Sequence, residues 1–400
     1  MTTTFTNFRL CRGGRLVDGE QLTIAHGTGL IVNPEEARGG ETVDLQDAIV
    51  APGFLELQTN GLRNFHFTHF DTTEEAYTAK MDEVAKYLPR TGVTAFYATI
   101  PTVHSDEFKK ILPLLAPRDI PDGAALLGAH AEGPYLHPSK KGAHNASLFH
   151  LPNQTNPTDI YGPSAETNSI LKLVTLAPEL PGAENLVLHL TYRGIRTALG
   201  HSSATYSQGL AAIKVGASCL THTLNAMTPL HHRDPGLAGL ITADAESLLD
   251  AASPYFSLIA DGNHLHSSVA SMLFRANPER CILITDSIEL AGLPDGTYPG
   301  HSQIPMNQTK QGSRVVIEGT ETLIGGCAGL DECVQNLVRW SGCGVAQAVR
   351  CVTENVAALM GEKRRGVLEV GRRGDFVVLD EKGSVKRTFV AGKMAFAGAE

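Results

Sequence analysis

The feature of this sequence that most constrains its fold is an alternation of short apolar segments with amphipathic helices through the middle of the chain. Apolar runs of this length, bounded by turn residues, are typical of buried strands. Eight are predicted, at residues 49–58, 93–100, 124–132, 171–177, 195–200, 219–222, 257–261 and 281–286. No GxGxxG turn follows the first strand, so the pattern favours a closed parallel barrel over an open nucleotide-binding sheet. We therefore expect an α/β protein with a (β/α)8 TIM-like barrel.

The two ends of the chain have a different pattern. Residues 8–50 contain short apolar segments interrupted by glycines, and residues 374–380 and 388–392 are two further strand-like segments. We expect the ends to pair as a small β-sandwich domain. The predicted boundaries are 1–51 and 363–400 for the two parts of this domain and 52–362 for the catalytic barrel.

Several boundaries inside the barrel are also predicted. Thr72 or Thr73 is expected to cap the first helix, and Ser105 the second. Residues 292–323 lack helical periodicity and indicate a hairpin excursion. Residues 330–341 and 345–360 are expected to form the closing helices.

Composition limits the possible partners. The formal charge of −9 argues against general binding to nucleic acid or to an anionic membrane. Seven scattered cysteines without a CxxC pair indicate neither a disulfide framework nor a cysteine zinc site, and no segment has the roughly 18 apolar residues of a membrane span. The first ten residues contain no apolar export signal. We expect a cytoplasmic protein with a small-molecule substrate.

Ionisable residues follow four of the predicted strands. Glu132, His201, His222 and Asp286 each end an apolar run, and the carboxyl ends of barrel strands meet at one face. Two imidazoles and a carboxylate suit a divalent ion, which lowers the pKa of water towards about 7. Asp286 is the candidate for moving protons. From spacing alone, each histidine could instead be structural and Asp286 could cap a helix, because the chain has 16 histidines.

Eight motifs in order give a resemblance to the N-acetylglucosamine-6-phosphate deacetylases of the amidohydrolase superfamily. They are PGFLELQTNG at 52–61, HAEGP at 130–134, KGAHN at 141–145, GHSSAT at 200–205, THTLNAM at 221–227, HRDPG at 232–236, IADGNH at 259–264, and TD at 285–286.

The resemblance implies that Glu132, His201 and His222 bind one divalent metal ion per subunit, with zinc favoured among zinc, iron, cobalt and manganese. It implies that Asp286 acts first as general base and then as general acid. It also implies that His144 polarises the acetamide carbonyl, although a surface-loop position is the alternative for this residue.

The sequence also bears on the number of metal ions. Superfamily members with two metals usually carry His-x-His at the end of the first strand, where this chain has Gln58-Thr59-Asn60. Amides are poor ligands for a second transition metal, so a mononuclear site is expected. His130 is interpreted as a packed residue behind the metal ligands.

For the substrate, the resemblance implies that Arg233 and His264 bind phosphate, and that Asn225 and the Ala226 backbone lie beside the sugar. His232 is a further candidate for substrate contact. The phosphate contacts imply a homodimer, because in the family they come partly across an interface between subunits. The alternative for Arg233 is a surface ion pair with Asp234.

The expected reaction is metal-dependent hydrolysis of N-acetyl-D-glucosamine 6-phosphate to D-glucosamine 6-phosphate and acetate. Arg63, His66 and Gly326 depart from the family pattern near the expected sugar pocket, which leaves the sugar and acyl preference open. The rivals are another amidase of the superfamily, such as an acylamino-acid deacylase or a cyclic amidase, and a non-catalytic binding barrel.

Overall fold

A computed structural model of the chain describes residues 1–36, 39–70, 73–248, 251–301 and 304–398. Its central feature is an eight-stranded parallel sheet in which each strand pairs with its neighbours in sequence order. The strands are Phe54–Thr59, Val93–Pro101, Ala125–Glu132, Leu171–Leu176, Arg196–Leu199, Cys219–Leu220, Tyr255–Ile259 and Cys281–Ile284. The predicted barrel is confirmed.

The first and last strands meet at their carboxyl ends and close the barrel. The amide of Asp286 donates to the carbonyl of Gln58 at 3.0 Å, and the amide of Asn60 donates to the carbonyl of Ser287 at 2.7 Å. Apolar side chains such as Leu55, Leu57 and Ile282 fill the barrel and form one buried cluster. The carboxyl ends of the barrel strands are therefore supported by a packed apolar core.

The predicted first strand at 49–58 is wrong at its start, because the chain divides at Gly53. Residues 49–52 end the long strand Gly40–Pro52, which pairs with Phe376–Leu379 in a separate sheet. A Cβ on Gly53 would lie 2.1 Å from Thr94 Oγ1, so only glycine permits this close approach. At Gly53 the backbone passes into the barrel from this separate sheet, which is formed by both ends of the chain and is called the end sheet.

Helices cover the outside of the barrel. Those in the described part of the chain are Glu74–Tyr87, Ser105–Ile111, Pro157–Tyr161, Ala183–Tyr192, Tyr206–Lys214, Ala245–Leu248, Ser267–Ala276, Leu330–Ser341, Val345–Arg350 and Glu354–Met360.

The predicted caps are partly right. Thr73 caps the first helix by accepting from the amide of Ala76, whereas Thr72 lies outside the described residues. Ser105 is wrong as a cap, because His104 takes that position and accepts from the amide of Asp106.

The single closing helix predicted at 345–360 is also wrong, because a turn at 351–353 divides it. Carbonyls in this turn accept hydrogen bonds from the barrel strands, with Leu55 donating to Val352 at 2.8 Å and Leu283 donating to Cys351 at 3.1 Å. A continuous helix would use those carbonyls internally. The break therefore attaches the last helices to the barrel.

Both chain ends form one eight-stranded sheet with its own core. Its strands are Thr2–Arg12, Arg15–Val17, Leu22–Ala25, Ile31–Val32, Gly40–Pro52, Phe376–Leu379, Val385–Val390 and Lys393–Ala397. The sheet curves so that the ring of Phe5 packs 4.9 Å from Phe376 and 5.3 Å from Phe389. The two termini thus share one small β domain.

The predicted excursion at 292–323 is a four-stranded antiparallel meander. Its strands are Gly296–Tyr298, Gln308–Gln311, Arg314–Ile317 and Leu323–Gly326. Leu323 and Ile324 of the last strand line the pocket at the carboxyl ends of the barrel strands. Among the described residues, no helix has the length and apolar character needed to cross a membrane.

Candidate metal centre and active site

Three side chains from three barrel strands meet at one point. Glu132 Oε1 lies 3.1 Å from His201 Nε2 and 2.9 Å from His222 Nε2, and the two imidazole nitrogens are 3.1 Å apart. His201 and His222 follow their strands with φ of 48° and 28°, a left-handed conformation that is unusual outside glycine. The strand ends are thus bent where the ligands converge. In the part of the chain that is described, this is the one histidine and carboxylate group with the spacing for a metal ion.

Both histidines direct Nε2 at the cluster, and a hydrogen bond holds the other ring nitrogen of His201. His201 Nδ1 donates to the carbonyl of Lys140 at 2.8 Å, which leaves the lone pair of Nε2 directed at the cluster. His222 Nδ1 is buried and has no hydrogen-bond partner among the described residues, while its Nε2 faces Glu132. Two imidazole nitrogens and one carboxylate oxygen fit a divalent ion with room for further ligands.

Electrostatics also favour a cation at this point. Burial acts to raise the pKa of Glu132, but hydrogen bonds from His144, His201 and His222 outweigh it and hold that pKa well below 4.5. Burial lowers the pKa of His201 to about 4. For His222, burial acts in the same direction, but the hydrogen bond and charge of Glu132 raise its pKa to about 9. The buried carboxylate therefore remains ionised and requires positive charge nearby.

Asp286 lies on the same face as the cluster. Its Oδ1 accepts hydrogen bonds from Gln58 Nε2 at 3.1 Å and from Asn60 Nδ2 at 2.8 Å. Burial, and then the negative charge of Glu132, raise the pKa of Asp286 above 3.8. No helix begins after Asp286, so the alternative of a helix cap does not hold. Asp286 and Glu132 thus share a donor, Gln58 Nε2, so the predicted proton carrier lies beside the predicted metal ligands.

His144 is buried and lies beside the cluster, so the alternative of a surface-loop position does not hold. Its Nε2 is 3.6 Å from Glu132 Oε2. The amide of Thr102 donates to Nδ1 at 3.2 Å, so Nδ1 is an acceptor and Nε2 carries the hydrogen. His144 therefore presents a hydrogen-bond donor to the pocket.

The positions where His-x-His would bind a second metal hold amides that donate hydrogen bonds. Gln58 Nε2 donates to Glu132 Oε1 at 3.2 Å as well as to Asp286. An amide N–H has no lone pair to offer a cation. His130 is buried between Thr99 and Thr175, with Nε2 2.8 Å from Thr175 Oγ1, which matches the interpretation of a packed residue.

A pocket of about 460 Å³ opens over these side chains. Asn225, Ala226 and His264, which the sequence predicts beside the substrate, line this pocket. His264 Nδ1 donates to Asp261 Oδ2 at 2.8 Å. Burial acts to raise the pKa of Asp261, but hydrogen bonds from His264 and backbone amides lower it. Asp261 therefore remains ionised and fixes the orientation of the His264 ring.

Arg233 and His232 do not line this pocket and are exposed in the single chain. The alternative pairing of Arg233 with Asp234 does not hold among the described residues. Asp234 Oδ1 instead accepts from the backbone amides of Tyr206 at 2.9 Å and Gly236 at 3.1 Å. The guanidinium of Arg233 is thus not held by its neighbour.

The three departures from the family pattern differ in their relation to the pocket. His66 lines it, whereas Arg63 donates to the carbonyl of Gly292 at 3.1 Å and lies over the ring of Tyr87. A Cβ on Gly326 would be 2.5 Å from the carbonyl oxygen of Thr285, so a serine there would require a backbone shift. Of the three, His66 alone has a side chain in the pocket wall.

Some residues that hold the site together were not identified from the sequence. Glu179 accepts from Ser202 Oγ at 2.7 Å and from the amide of Ser203, which fixes the turn directly after His201. Thr102 positions His144. The one available signal is that both Thr102 and Glu179 follow the carboxyl end of a barrel strand.

Comparison with known proteins identifies the family of the chain. The sequence profile of the amidohydrolase family matches residues 49–395. An N-acetylglucosamine-6-phosphate deacetylase of Caenorhabditis elegans is 35% identical over 366 residues, which are 90% of this chain and 86% of that protein. An N-acetylgalactosamine-6-phosphate deacetylase of Escherichia coli O157:H7 is 32% identical over 95% of each chain.

A solved structure of a deacetylase has the same fold over the full length of the chain. The N-acetyl-D-glucosamine-6-phosphate deacetylase of Mycobacterium smegmatis, solved as a variant in complex with N-acetyl-D-glucosamine 6-phosphate, superposes with a TM-score of 0.82. It is 28% identical, and the match covers 99% of both chains. The protein therefore belongs to the amidohydrolase family, within its group of N-acetylglucosamine-6-phosphate deacetylases.

Proposed function

We propose that this protein hydrolyses N-acetyl-D-glucosamine 6-phosphate to D-glucosamine 6-phosphate and acetate. The observation that carries the proposal is the convergence of Glu132, His201, His222, Asp286 and His144 on one pocket. The names of the relatives specify an acetylated amino sugar phosphate as the substrate class.

The metal ligands in this proposal are Glu132 Oε1, His201 Nε2 and His222 Nε2, and they hold one divalent ion per subunit. Zinc is favoured by the His2Glu donor set, which iron, cobalt and manganese also tolerate. Such an ion supplies Lewis-acid chemistry, which lowers the pKa of water from 15.7 towards about 7.

Asp286 moves the proton. Because Gln58 and Asn60 both donate to Oδ1, Oδ2 is the oxygen left to accept a proton from the attacking water. The water oxygen forms a bond to the acetyl carbon, and the carbon–nitrogen bond then breaks. Asp286 returns the proton to the departing nitrogen, which leaves as the amine, while the second proton of the water stays on the new carboxyl group until this ionises to acetate.

His144 stabilises the carbonyl oxygen in the same step. Its Nε2–H is the donor available to an oxygen that gains negative charge during attack. The ring is fixed before the substrate binds, so its contribution requires little reorganisation.

The remaining contacts position the sugar and the phosphate. Asn225, the Ala226 backbone and His264 lie beside the substrate in the pocket. Arg233, with His232 beside it, is exposed and lies outside this pocket, so we assign its phosphate contact to the neighbouring subunit of a homodimer. The cytoplasm is the proposed location, since the seven cysteines are all free in the structure.

A panel of N-acyl substrates tests the proposal. Metal-loaded protein is assayed for free amine with N-acetylglucosamine and N-acetylgalactosamine, each with and without the 6-phosphate, and with an acylamino acid. We expect kcat/KM to be highest with N-acetylglucosamine 6-phosphate and to fall strongly without phosphate. A higher kcat/KM with N-acetylgalactosamine 6-phosphate would show that the sugar of the substrate is galactosamine. Equal activity without phosphate would favour another amidase of the superfamily. No turnover of any substrate would favour a non-catalytic binding barrel.

A further inference from the structure

A second cavity lies at the mouth of the barrel opposite to the candidate active site. It has a volume of about 510 Å³, and its wall includes Lys172 and Arg196. These residues are at the start of the strands Leu171–Leu176 and Arg196–Leu199, whereas Glu132 ends its strand at the other mouth. We call this space, between the amino ends of the strands and residues 360–365, the basal cavity.

The wall of the basal cavity is strongly cationic. Its basic residues are Arg118, Lys172, Arg196, Arg364 and Arg365, and its acidic residues are Asp119 and Glu362. The chain as a whole has a formal charge of −9, so this excess of basic residues is opposite to the average. A concave wall in which one sign of charge is in excess concentrates its field in the space it encloses.

Some of these cations are neutralised within the protein. Arg365 is buried and binds Asp375 at 3.0 Å and Asp119 at 2.8 Å, and Arg373 also binds Asp119, at 2.9 Å. One guanidinium nitrogen of Arg118, Nη1, binds Asp82 at 2.6 Å. These pairs form the rigid side of the cavity.

Other guanidinium nitrogens of the wall have no acceptor in the part of the chain that the structure describes. Arg118 Nη2 is buried and has no hydrogen-bond partner in the described part of the chain. The exposed side chain of Arg196 makes no hydrogen bond or ion pair within the described ranges. A buried guanidinium nitrogen without an acceptor is costly, so the cavity is suited to an anion.

Lys172 adds a third cationic group at the same wall. Its ammonium donates to the carbonyl of Asn168, which is neutral and does not balance the charge. Burial lowers the pKa of this lysine below 10.5, while the charge of Glu362 in the same wall acts in the opposite direction. A bound anion would offset that penalty on the charged form.

We propose that the basal cavity is a binding site for a small phosphate-bearing anion. Guanidinium groups match phosphate oxygens in a bidentate manner, and Arg118 and Arg196 both have nitrogens available for this. A volume of about 510 Å³ exceeds that of inorganic phosphate and accommodates a sugar phosphate. The site is independent of the proposed function, since it shares no lining residue with the pocket over Glu132.

Calorimetric titration of the metal-loaded, full-length protein at low ionic strength tests the proposal. The probes are inorganic phosphate, glucose 6-phosphate and glucose. The double variant Arg196→Met with Lys172→Met removes two cations from the basal cavity, and His264→Ala weakens phosphate binding in the other pocket. We expect the double variant to lose one binding component, with at least a tenfold increase in its Kd, and His264→Ala to retain that component.

The probes and a matched control separate the outcomes. Arg15→Met removes an exposed arginine on the end sheet and should bind like the wild type. Binding of glucose 6-phosphate but not phosphate would identify the sugar ester as the ligand, and binding of both would identify the phosphate group alone as sufficient. Unchanged titrations in the double variant, with an unchanged Tm that shows intact folding, would overturn the proposal. Binding that changes only in His264→Ala would overturn it as well.

Discussion

The backbone amide of Thr102 donates a hydrogen bond to Nδ1 of His144, with 3.2 Å between the two nitrogens. A backbone amide is always a donor, so this contact fixes the tautomer of the ring and leaves the hydrogen on Nε2. Nε2 lies 3.6 Å from Glu132 Oε2, close to the group that would hold the metal. Thr102, at the end of a barrel strand, thus orients the ring of the loop residue His144 so that its Nε2–H is available as a donor.

The first prediction concerns this donor. His144→Ala removes the side-chain donor, and we expect kcat to fall about 10²- to 10³-fold, as for the loss of one oxyanion donor, with a smaller change in KM. Steady-state kinetics and metal analysis measure the effect. His26→Ala, at an exposed histidine that follows the strand Leu22–Ala25, is the control. A normal kcat in His144→Ala with full metal content would exclude the assigned role.

The second prediction concerns Asp286. In Asp286→Asn the amide oxygen can still accept from Gln58 and Asn60, so the fold and metal content should persist. The side chain can no longer take up a proton, and kcat should fall by about 10²- to 10⁴-fold. Asp106→Asn, at an exposed aspartate, should leave kcat unchanged. Turnover near the wild-type rate would show that another group carries the proton.

The third prediction concerns metal stoichiometry. Gln58 Nε2 donates to Glu132, so its amide occupies the second metal position as a donor and not as a ligand. We expect one equivalent of divalent metal per chain by elemental analysis. The double variant Gln58→His with Asn60→His supplies two imidazoles and should raise the content towards two. Two equivalents in the wild type would contradict the mononuclear site.

The barrel was predictable because its signal is local. Each strand is a short apolar run that ends in a polar residue, and this pattern placed Glu132, His201, His222 and Asp286 at strand ends. The boundary at Gly53 was missed because residues on both sides are apolar, although they belong to different sheets. Only the contact with Thr94, which is distant in sequence, distinguishes them.

Supporting contacts were less predictable than the residues they support. Glu179 accepts from the backbone amide of Ser203, which is 24 residues away in sequence. The backbone amide of Thr102 donates to a ring nitrogen of His144, which is 42 residues away. A sequence pattern does not encode such pairings. The proposed phosphate contact of Arg233 has not been located for a related reason, since a contact between subunits would not be defined by one chain.

The last prediction concerns Glu56, which lies behind the site between the first and last barrel strands. Its Oε1 accepts from the amides of Gln58 at 3.0 Å and Thr285 at 3.4 Å, while Oε2 is buried without a partner among the described residues. Burial raises the pKa of Glu56 from 4.5 to about 8. The folded protein therefore holds a proton at neutral pH that the unfolded chain releases.

Because the folded pKa of Glu56 is the higher one, its linkage destabilises the fold as pH rises. The free energy of unfolding should fall between pH 4.5 and about 8, by an amount on the order of a few kcal/mol, and then level off. Glu56→Gln keeps the shape without the titration and should flatten this decline. Urea unfolding of the wild type and variant across this pH range measures it, with Glu184→Gln as the exposed control. Parallel pH profiles for wild type and Glu56→Gln would mean that Glu56 is ionised in the folded protein.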